Sequence, residues 1–157
     1  MENVTIRKAT LNDLYNIQML NNQLFKLEKE KFDSTLVENW PLTEEGKKYF
    51  KAMIEEAHVI VAILNDKIVG YLAGSINEKG PYEEIQYGEV NNMFINAECR
   101  GYGIGKLLIN DFKKYCLSND IKALTVTASA KNTNAIEFYR KNGFKDFNLT
   151  LTMNIDD

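Results

Sequence analysis

The sequence predicts an α/β fold, an α+β arrangement in which a mixed, mostly antiparallel sheet has helices on both faces. Two apolar runs, residues 59–64 and 68–76, are joined by the turn-forming pair Asn65-Asp66 and predict an antiparallel hairpin. Residues 85–128 alternate between strand, helix and strand patterns, which predicts a central parallel β-α-β unit with a right-handed crossover. The fold class follows from these two units.

The remaining elements complete the order β-α-α-β-β-β-α-β-α-β. Residues 4–8 alternate as a short strand, and apolar residues at helical spacing from Leu11 to Leu27 predict a helix that begins after Thr10. Residues 28–41 are expected to be irregular. The other expected elements are a helix capped by Thr43, a loop over 77–84, strands over 85–95 and 123–128, helices over 107–116 and 132–142, a helix terminator at Gly143, and a last strand over 148–155.

The composition fits one domain that spans residues 1–157 and buries a sizeable core, since 45% of its residues are hydrophobic. The net charge of −3 argues against nucleic acid as a partner, and no apolar run is long enough to span a bilayer. Cys99 and Cys116 suggest no disulfide framework, and with His58 as the single histidine no metal site is expected. These features predict a cytoplasmic protein without a nucleic-acid, membrane or metal partner.

A glycine-rich segment just before an amphipathic helix is the most informative part of the chain. Gly101, Gly103 and Gly105 let the backbone approach a ligand closely, and N–H groups at a helix N-terminus favour an anion such as phosphate. A dinucleotide-binding loop would need glycine at Lys106, and a nucleoside-triphosphate loop would need Ser or Thr at Leu107. The remaining interpretation is a pyrophosphate held by main-chain amides without a metal.

Two motifs resemble the markers of the GNAT acyl-CoA N-acyltransferase family. One of them, Arg100-x-x-Gly103-x-Gly105, is similar to the family segment Arg/Gln-x-x-Gly-x-Gly/Ala. The other, Asn132-x-x-Ala135-x-x-x-Tyr139-x-x-x-Gly143-Phe144, resembles the family's Asn-x-x-Ala-x-x-x-Tyr-x-x-x-Gly-Phe. Their order and separation are also similar to the family's. The resemblance covers residues 85–144 well, and it implies a GNAT-like fold and an acetyl-CoA-dependent N-acetyltransferase.

The resemblance implies specific roles for several residues. The family tyrosine that corresponds to Tyr139 is a general acid that protonates the departing thiolate, although a tyrosine on an apolar helix face is commonly a core residue. The family asparagine that corresponds to Asn132 contacts the cofactor arm, and main-chain groups of Phe94 and Ile95 line the pantetheine. The complete predicted cofactor-binding set is Phe94, Ile95, Arg100, Gly101, Gly103, Ile104, Gly105, Lys106 and Asn132, with ordinary solvated charge as the alternative for Arg100 and Lys106.

Glu89 is the predicted general base for the attacking amine. In the strand over 85–95 odd positions share one face, which places Glu89 beside Asn91 and Met93. Some members of the resembling family carry a basic glutamate at the spacing of Glu89, and others carry it where this chain has Asn91. The alternative for Glu89 is a half-exposed strand carboxylate that pairs with a neighbour.

We interpret the chain as an N-acetyltransferase in which a primary amine attacks acetyl-CoA directly within a ternary complex. The acceptor is a small-molecule or peptide amine, and a homodimer is possible because homodimers are frequent in the resembling family. Trp40, Tyr49 and Phe50 either wall the amine site or pack the first two helices on the sheet. Two other functions stay open here: a non-catalytic acyl-CoA-binding sensor, and a structural α/β domain whose glycines only form a tight turn.

Overall fold

The structure is a computed structural model that describes residues 3–156 of the chain. Its strands and helices follow the order expected from the sequence as far as the last helix. The elements are β1 (Thr5–Lys8), α1 (Leu14–Lys31), α2 (Glu44–Glu56), β2 (His58–Leu64), β3 (Lys67–Ile76), β4 (Tyr87–Ile95), α3 (Ile104–Ser118), β5 (Ala123–Val126) and α4 (Thr133–Lys141). Short 3₁₀ turns precede α1, α2 and α3.

The five strands form one sheet in the order β1-β2-β3-β4-β5. The strands from β1 to β4 pair antiparallel, and β4 pairs in parallel with β5. Because α3 connects these two parallel strands, the predicted β-α-β unit is confirmed. Helices pack on both faces of this mixed sheet, which confirms the predicted fold class.

Apolar side chains form a core on each face of the sheet. On one face α3 packs Leu108, Ile109 and Phe112, each at most 1% exposed, against the strands. On the other face α1 and α2 contribute Ile17 and Phe50, which are fully buried. Burial of one such side chain contributes about 1.5–3 kcal/mol to folding, so both helical layers are held firmly on the sheet.

Turn residues adopt the conformations that their residue types predict. Asn65 and Asp66 have φ values of 50° and 61°, as a two-residue hairpin turn requires. At the end of α4, Gly143 has a φ of 96°, and Phe144 after it donates its N–H to the Tyr139 carbonyl over 3.0 Å. This bond closes the C-terminus of the helix and confirms Gly143 as its terminator.

β4 contains a bulge at Asn91, because its register with β3 shifts between Val90 and Asn92. Val90 before the bulge and Met93 after it both pack on the α3 side, so the alternation of side chains shifts by one residue. The prediction that Glu89 shares a face with Met93 is therefore wrong. The alternation of side chains that is assumed for a regular strand does not reveal where β4 contains a bulge.

α1 is longer than the sequence predicts. It continues to Lys31, so the first part of the segment over 28–41 is helical rather than irregular. Residues 26–31 are all Lys, Glu or Leu, which are good helix formers. Their helix propensity extends α1 even though they carry no apolar stripe. The 3₁₀ turn over Trp40–Leu42 then leads into α2, which Thr43 caps as predicted by accepting the Gly46 N–H over 3.2 Å.

The sequence predicts a last strand over 148–155, and this prediction is wrong for the single chain. Within the described residues this segment pairs with no other strand. Its apolar side chains and that of the preceding Phe147 are exposed; they are Phe147, Leu149, Leu151, Met153 and Ile155. The alternating pattern is present in the sequence, but a strand also needs a partner.

Candidate active site

A crevice opens where β4 and β5 separate. Their pairing ends at Val90↔Val126, whereas β4 continues to Ile95. Over residues 91–95 the edge of β4 on the β5 side therefore has no strand partner in the described chain. β5 itself ends at Val126, whereas the sequence predicts that it continues to residue 128. A cavity of about 370 Å³ lies here, with walls from α1, α2, β4 and the segment between β5 and α4.

Tyr139 brings a phenol to this cavity from α4. The edges of the Phe138 and Phe144 rings pack against it, with centroid separations of 5.2 and 5.4 Å. Burial, and then the charge of Glu28, raise the pKa of Tyr139 to about 12. The phenol is therefore protonated at neutral pH, as a general acid has to be.

Asn132 stands at the N-terminus of α4, two helical turns before Tyr139. Its Oδ1 accepts the Ala135 N–H over 3.1 Å and caps the helix. Asn132, Ala135 and Tyr139 line the same cavity, as their spacing predicts. The Nδ2 group of Asn132 forms no hydrogen bond within residues 3–156, which leaves it free to donate to a ligand.

The glycine-rich segment forms an exposed loop that leads into α3. Gly101 and Gly103 have φ values of 85° and 79°, which other residues rarely adopt, and Gly103 is the N-cap of α3. No side chain of the described chain caps this helix, so the N–H groups of its first turn lack side-chain partners. Together with the helix dipole, these groups make a site suited to an anion.

Gly105 and Ile104 pack into the protein instead of facing solvent. A Cβ on Gly105 would lie 2.8 Å from the Phe138 ring, so this glycine lets α3 approach α4 closely. Ile104 is 1% exposed and belongs to the core under α3. Only the main-chain groups of these two residues are available to a ligand.

Arg100 ties the loop to the end of β4. Its Nε donates to the Ile95 carbonyl over 3.0 Å, and its guanidinium lies 5.1 Å from the centroid of the Phe94 ring. Phe94 itself is 7% exposed, so it offers a ligand main-chain atoms rather than its ring. Lys106 is exposed and adds a second positive charge beside the loop.

Glu89 does not line the cavity. Its half-buried side chain accepts a hydrogen bond from Asn91 Nδ2 over 3.3 Å. Burial raises the pKa of Tyr49, and the charge of Glu89 adds to this effect. The predicted base therefore lies near one wall of the cavity, apart from the predicted acid.

Glu28 lines the cavity together with Tyr139, although it is not among the site residues that the sequence predicts. It lies in the last turns of α1, where an irregular segment was expected. Asn21, Phe25 and Glu28 are spaced as on one face of a helix, and all three line the cavity. Extension of the predicted helix beyond Leu27 would have placed Glu28 on this face. Burial raises the pKa of Glu28, and the charge of Asp33 raises it further.

A chain of hydrogen bonds runs beside the cavity. Asn21 Nδ2 donates to the Tyr71 hydroxyl over 2.7 Å, and this hydroxyl donates to Asn92 Oδ1 over 2.6 Å. Asn92 Nδ2 in turn donates to the Tyr49 hydroxyl over 3.2 Å. The buried Oδ1 of Asn21 has no hydrogen-bond partner in the described structure, although Asn21 lines the cavity. The chain fixes the side chains around the cavity and leaves one acceptor unused.

Aromatic rings form another wall of the cavity. The rings of Phe25 and Trp40 stack with their centroids 5.8 Å apart, and Tyr49 lies 5.9 Å from Trp40. These three residues line the cavity, and so does Phe50, whose side chain is fully buried in the core at its base. Phe50 therefore packs α2 on the sheet, and the other alternative for this group, a wall of the amine site, stays a prediction.

Other features of the described chain do not point to a second kind of chemistry. No group of three or more His, Cys, Asp and Glu side chains among residues 3–156 is placed to hold a metal ion. Cys99 and Cys116 are buried thiols outside any disulfide, and burial raises the pKa of Cys116 to about 11. None of the helices in this part of the chain is long and apolar enough to cross a membrane.

The chain belongs to the acetyltransferase (GNAT) family, because the model of that family matches residues 13–144. Over 100 residues it is 31% identical to the uncharacterized N-acetyltransferase MJ1207 of Methanocaldococcus jannaschii, a match that covers 62% of this chain and 44% of that relative. The chain spans about half the length of the curated relatives that it matches.

Solved structures share the fold over nearly the whole chain. A tetramutant of the BH1408 protein from Bacillus halodurans superposes with a TM-score of 0.86 at 20% identity, covering 96% of this chain and 99% of that one. AAC(6')-Iy, in complex with the bisubstrate analogue CoA-S-monomethyl-acetylneamine, gives a TM-score of 0.76 at 14% identity and covers 97% of each chain. At these identities the likeness shows the fold alone.

Proposed function

We propose that the protein transfers an acetyl group from acetyl-CoA to a primary amine, which attacks the thioester directly within a ternary complex. The observation that carries the proposal is the protonated phenol of Tyr139 in the cavity beside the free edge of β4. The uncapped N-terminus of α3 lies next to both, since Gly105 packs against Ile95 and Phe138. Membership of the GNAT family supports acetyl transfer.

The residues near the crevice fit a diphosphate that continues into an amide-bearing arm. In this proposal the N–H groups of residues 101–106 bind the diphosphate, and Arg100 and Lys106 supply positive charge. The free edge of β4 at Phe94 and Ile95 pairs with the amides of the arm as an added strand would. The Nδ2 group of Asn132 donates to the same arm.

The amine nitrogen attacks the carbonyl carbon of the thioester, and the C–S bond then breaks. A main-chain N–H near the end of β4 stabilises the oxyanion, an effect of about 2.7–4 kcal/mol in other acyl transfers. Tyr139 donates its proton to the departing sulfur, so that CoA leaves as a thiol rather than as a thiolate. The cavity holds the amine and the thioester close enough for this step.

The amine has to lose a proton before it can attack. An alkylammonium with a pKa of about 10.4 is about 99.9% protonated at pH 7.4. Glu89 is the base that the sequence predicts. From its position outside the cavity lining, its carboxylate needs an intervening water molecule to reach the amine.

Release of the CoA thiol from acetyl-CoA in the presence of a panel of primary amines tests the proposal. We expect amine-dependent release. Tyr139→Phe should lower kcat by about 10²-fold with little change in KM, because the ring still packs but has no proton to donate. Tyr82→Phe, which removes an exposed hydroxyl outside the cavity, is the matched control and should keep full activity.

Two results would contradict the proposal. CoA binding without turnover of any amine would favour an acyl-CoA sensor. Equal kcat for the wild type and Tyr139→Phe would take the general-acid role away from Tyr139.

A further inference from the structure

The cavity contains a half-buried carboxylate without a counter-ion. Within residues 3–156, Glu28 is the only Asp or Glu that lines the cavity, and no Lys, Arg or His lines it. The Glu28 carboxylate also forms none of the ion pairs of the described chain. A carboxylate taken partly out of water favours a positively charged partner, and here that partner has to come from a ligand.

The groups that face Glu28 do not neutralise it. Asp33 repels it, while Tyr71 from β3 and Tyr139 from α4 are neutral phenols whose pKa is raised by burial and then further by the charge of Glu28. Lys29, the adjacent cation, donates to two main-chain carbonyls after α1. An ammonium in the cavity would therefore meet one carboxylate that is available to bind it.

The aromatic wall restricts the rest of the ligand. Phe25, Trp40 and Tyr49 line the same cavity as the carboxylate, a combination that suits a flat apolar group with a cation. The buried Oδ1 of Asn21, which has no hydrogen-bond partner in the described structure, adds a second acceptor to the same wall. Among the described lining residues no second carboxylate is available for a further charge of a polycation.

We propose that the acceptor is an arylalkylamine or a similar amine with a single charge, that Glu28 binds its ammonium and removes its proton, and that the aromatic wall holds its apolar body. This inference rests on the proposed function and names the acceptor class and base of the same site. Glu28 replaces Glu89 in the role of the base, because Glu28 shares the cavity with Tyr139.

The protons and bonds balance in this scheme. One ammonium proton moves to the Glu28 carboxylate, and the freed lone pair forms the C–N bond. The C–S bond breaks, and sulfur takes the proton of Tyr139. The nitrogen then gives its second proton to the Tyr139 phenolate, and Glu28 releases its proton to solvent.

The pH dependence of kcat/KM for 2-phenylethylamine tests the role of Glu28. In the wild type, kcat/KM for total amine should be flat from about pH 7 to 9, because Glu28 is ionised and the ammonium form binds. In Glu28→Gln only the neutral amine reacts, so kcat/KM should rise about tenfold per pH unit up to the amine pKa. At pH 7.4 the loss should be about 10²- to 10³-fold.

Matched variants separate this result from a structural effect. Glu30→Gln changes an exposed carboxylate on the same helix and should keep the wild-type profile. Glu89→Gln tests the rival base and is therefore a comparison rather than a control. A steep profile in Glu89→Gln together with a flat one in Glu28→Gln would overturn the assignment, and equal CoA affinity in all variants would show that the fold is intact.

Calorimetric titration of 2-phenylethylammonium into the CoA-bound protein gives a readout that does not depend on turnover. The wild type should bind it at least tenfold more tightly than Glu28→Gln does, and 2-phenylethanol, which lacks the charge, should bind both proteins equally. Equal binding of the ammonium to both proteins would refute the role of Glu28. Turnover of other amines but not of 2-phenylethylamine would refute the acceptor class, whereas absence of turnover with every amine of the panel would count against the proposed function.

Discussion

Glu28 and Tyr139 show how two side chains in one cavity influence each other's protonation. The charge of Glu28 adds to the effect of burial and holds the proton of Tyr139 more tightly. If Glu28 accepts a proton from the amine, that charge disappears and the Tyr139 phenol becomes a stronger acid. The proposed order of proton transfers therefore prepares the acid for the step in which sulfur leaves.

Asp13 is a buried carboxylate that acts on stability rather than on chemistry. Both of its oxygens accept hydrogen bonds from the Arg7 guanidinium, over 2.7 and 3.0 Å, and one also accepts the Thr10 N–H over 2.8 Å. These bonds, with that of Arg7 as the largest effect, lower the pKa of Asp13. A lowered pKa stabilises the fold above the unfolded-state pKa, and this stabilisation is lost as the pH falls through the folded-state pKa.

Asp13→Asn should lower the free energy of unfolding by about 2 kcal/mol at pH 7, since it removes charged hydrogen bonds to Arg7. The difference from wild type should shrink at pH 3 and below, where the wild-type carboxylate also begins to take up a proton. Urea unfolding at the two pH values measures this. Asp120→Asn, at an exposed carboxylate, is the control, and an equal loss at both pH values would mean that charge is not the cause.

The N-terminus of α3 is the element on which the proposed cofactor site depends. Its first-turn N–H groups are uncapped, and the positive φ of Gly103 sets their direction. A Cβ at Gly103 would meet no atom within 4 Å, so the constraint there is backbone conformation rather than space. A substitution at this position therefore tests the loop without disturbing the core.

Gly103→Val should weaken CoA binding by at least tenfold while the protein stays folded. A β-branched residue disfavours positive φ, so the loop moves and its N–H groups turn away from the diphosphate. Calorimetric titration of CoA measures the effect. Gly80→Val, in the loop before β4, has ordinary contacts for its Cβ and should bind CoA like the wild type. An unchanged affinity in Gly103→Val would refute the anion site.

Elements with a local signal in the sequence were predicted, and those that depend on distant partners were not. Asn65-Asp66 fixed the hairpin, and Gly143 fixed the end of α4, because a turn residue determines its own backbone. The bulge at Asn91 depends on how β4 pairs with β3, which no pattern within β4 reveals. The segment over 148–155 has a strand pattern, but among residues 3–156 it pairs with no strand.

At the scale of the whole molecule, the candidate site combines residues that are far apart in sequence. The motifs predicted Tyr139, Asn132 and the glycine-rich loop, because each is part of a contiguous pattern. Glu28 is part of no such motif and reaches the cavity only because α1 packs across β4. The part of the candidate site that is proposed to bind acetyl-CoA was therefore predictable from the sequence. The part that is proposed to bind the amine depends on how the helices pack on the sheet.

The proposed reaction depends on one placement of CoA, with its diphosphate at the start of α3 and its sulfur at the phenol of α4. A crystal structure of the CoA complex measures this placement directly. We predict that the diphosphate oxygens accept N–H groups of residues 103–106 and that the thiol lies within hydrogen-bond distance of the Tyr139 hydroxyl. A diphosphate bound elsewhere, or a thiol that points away from Tyr139, would contradict the account.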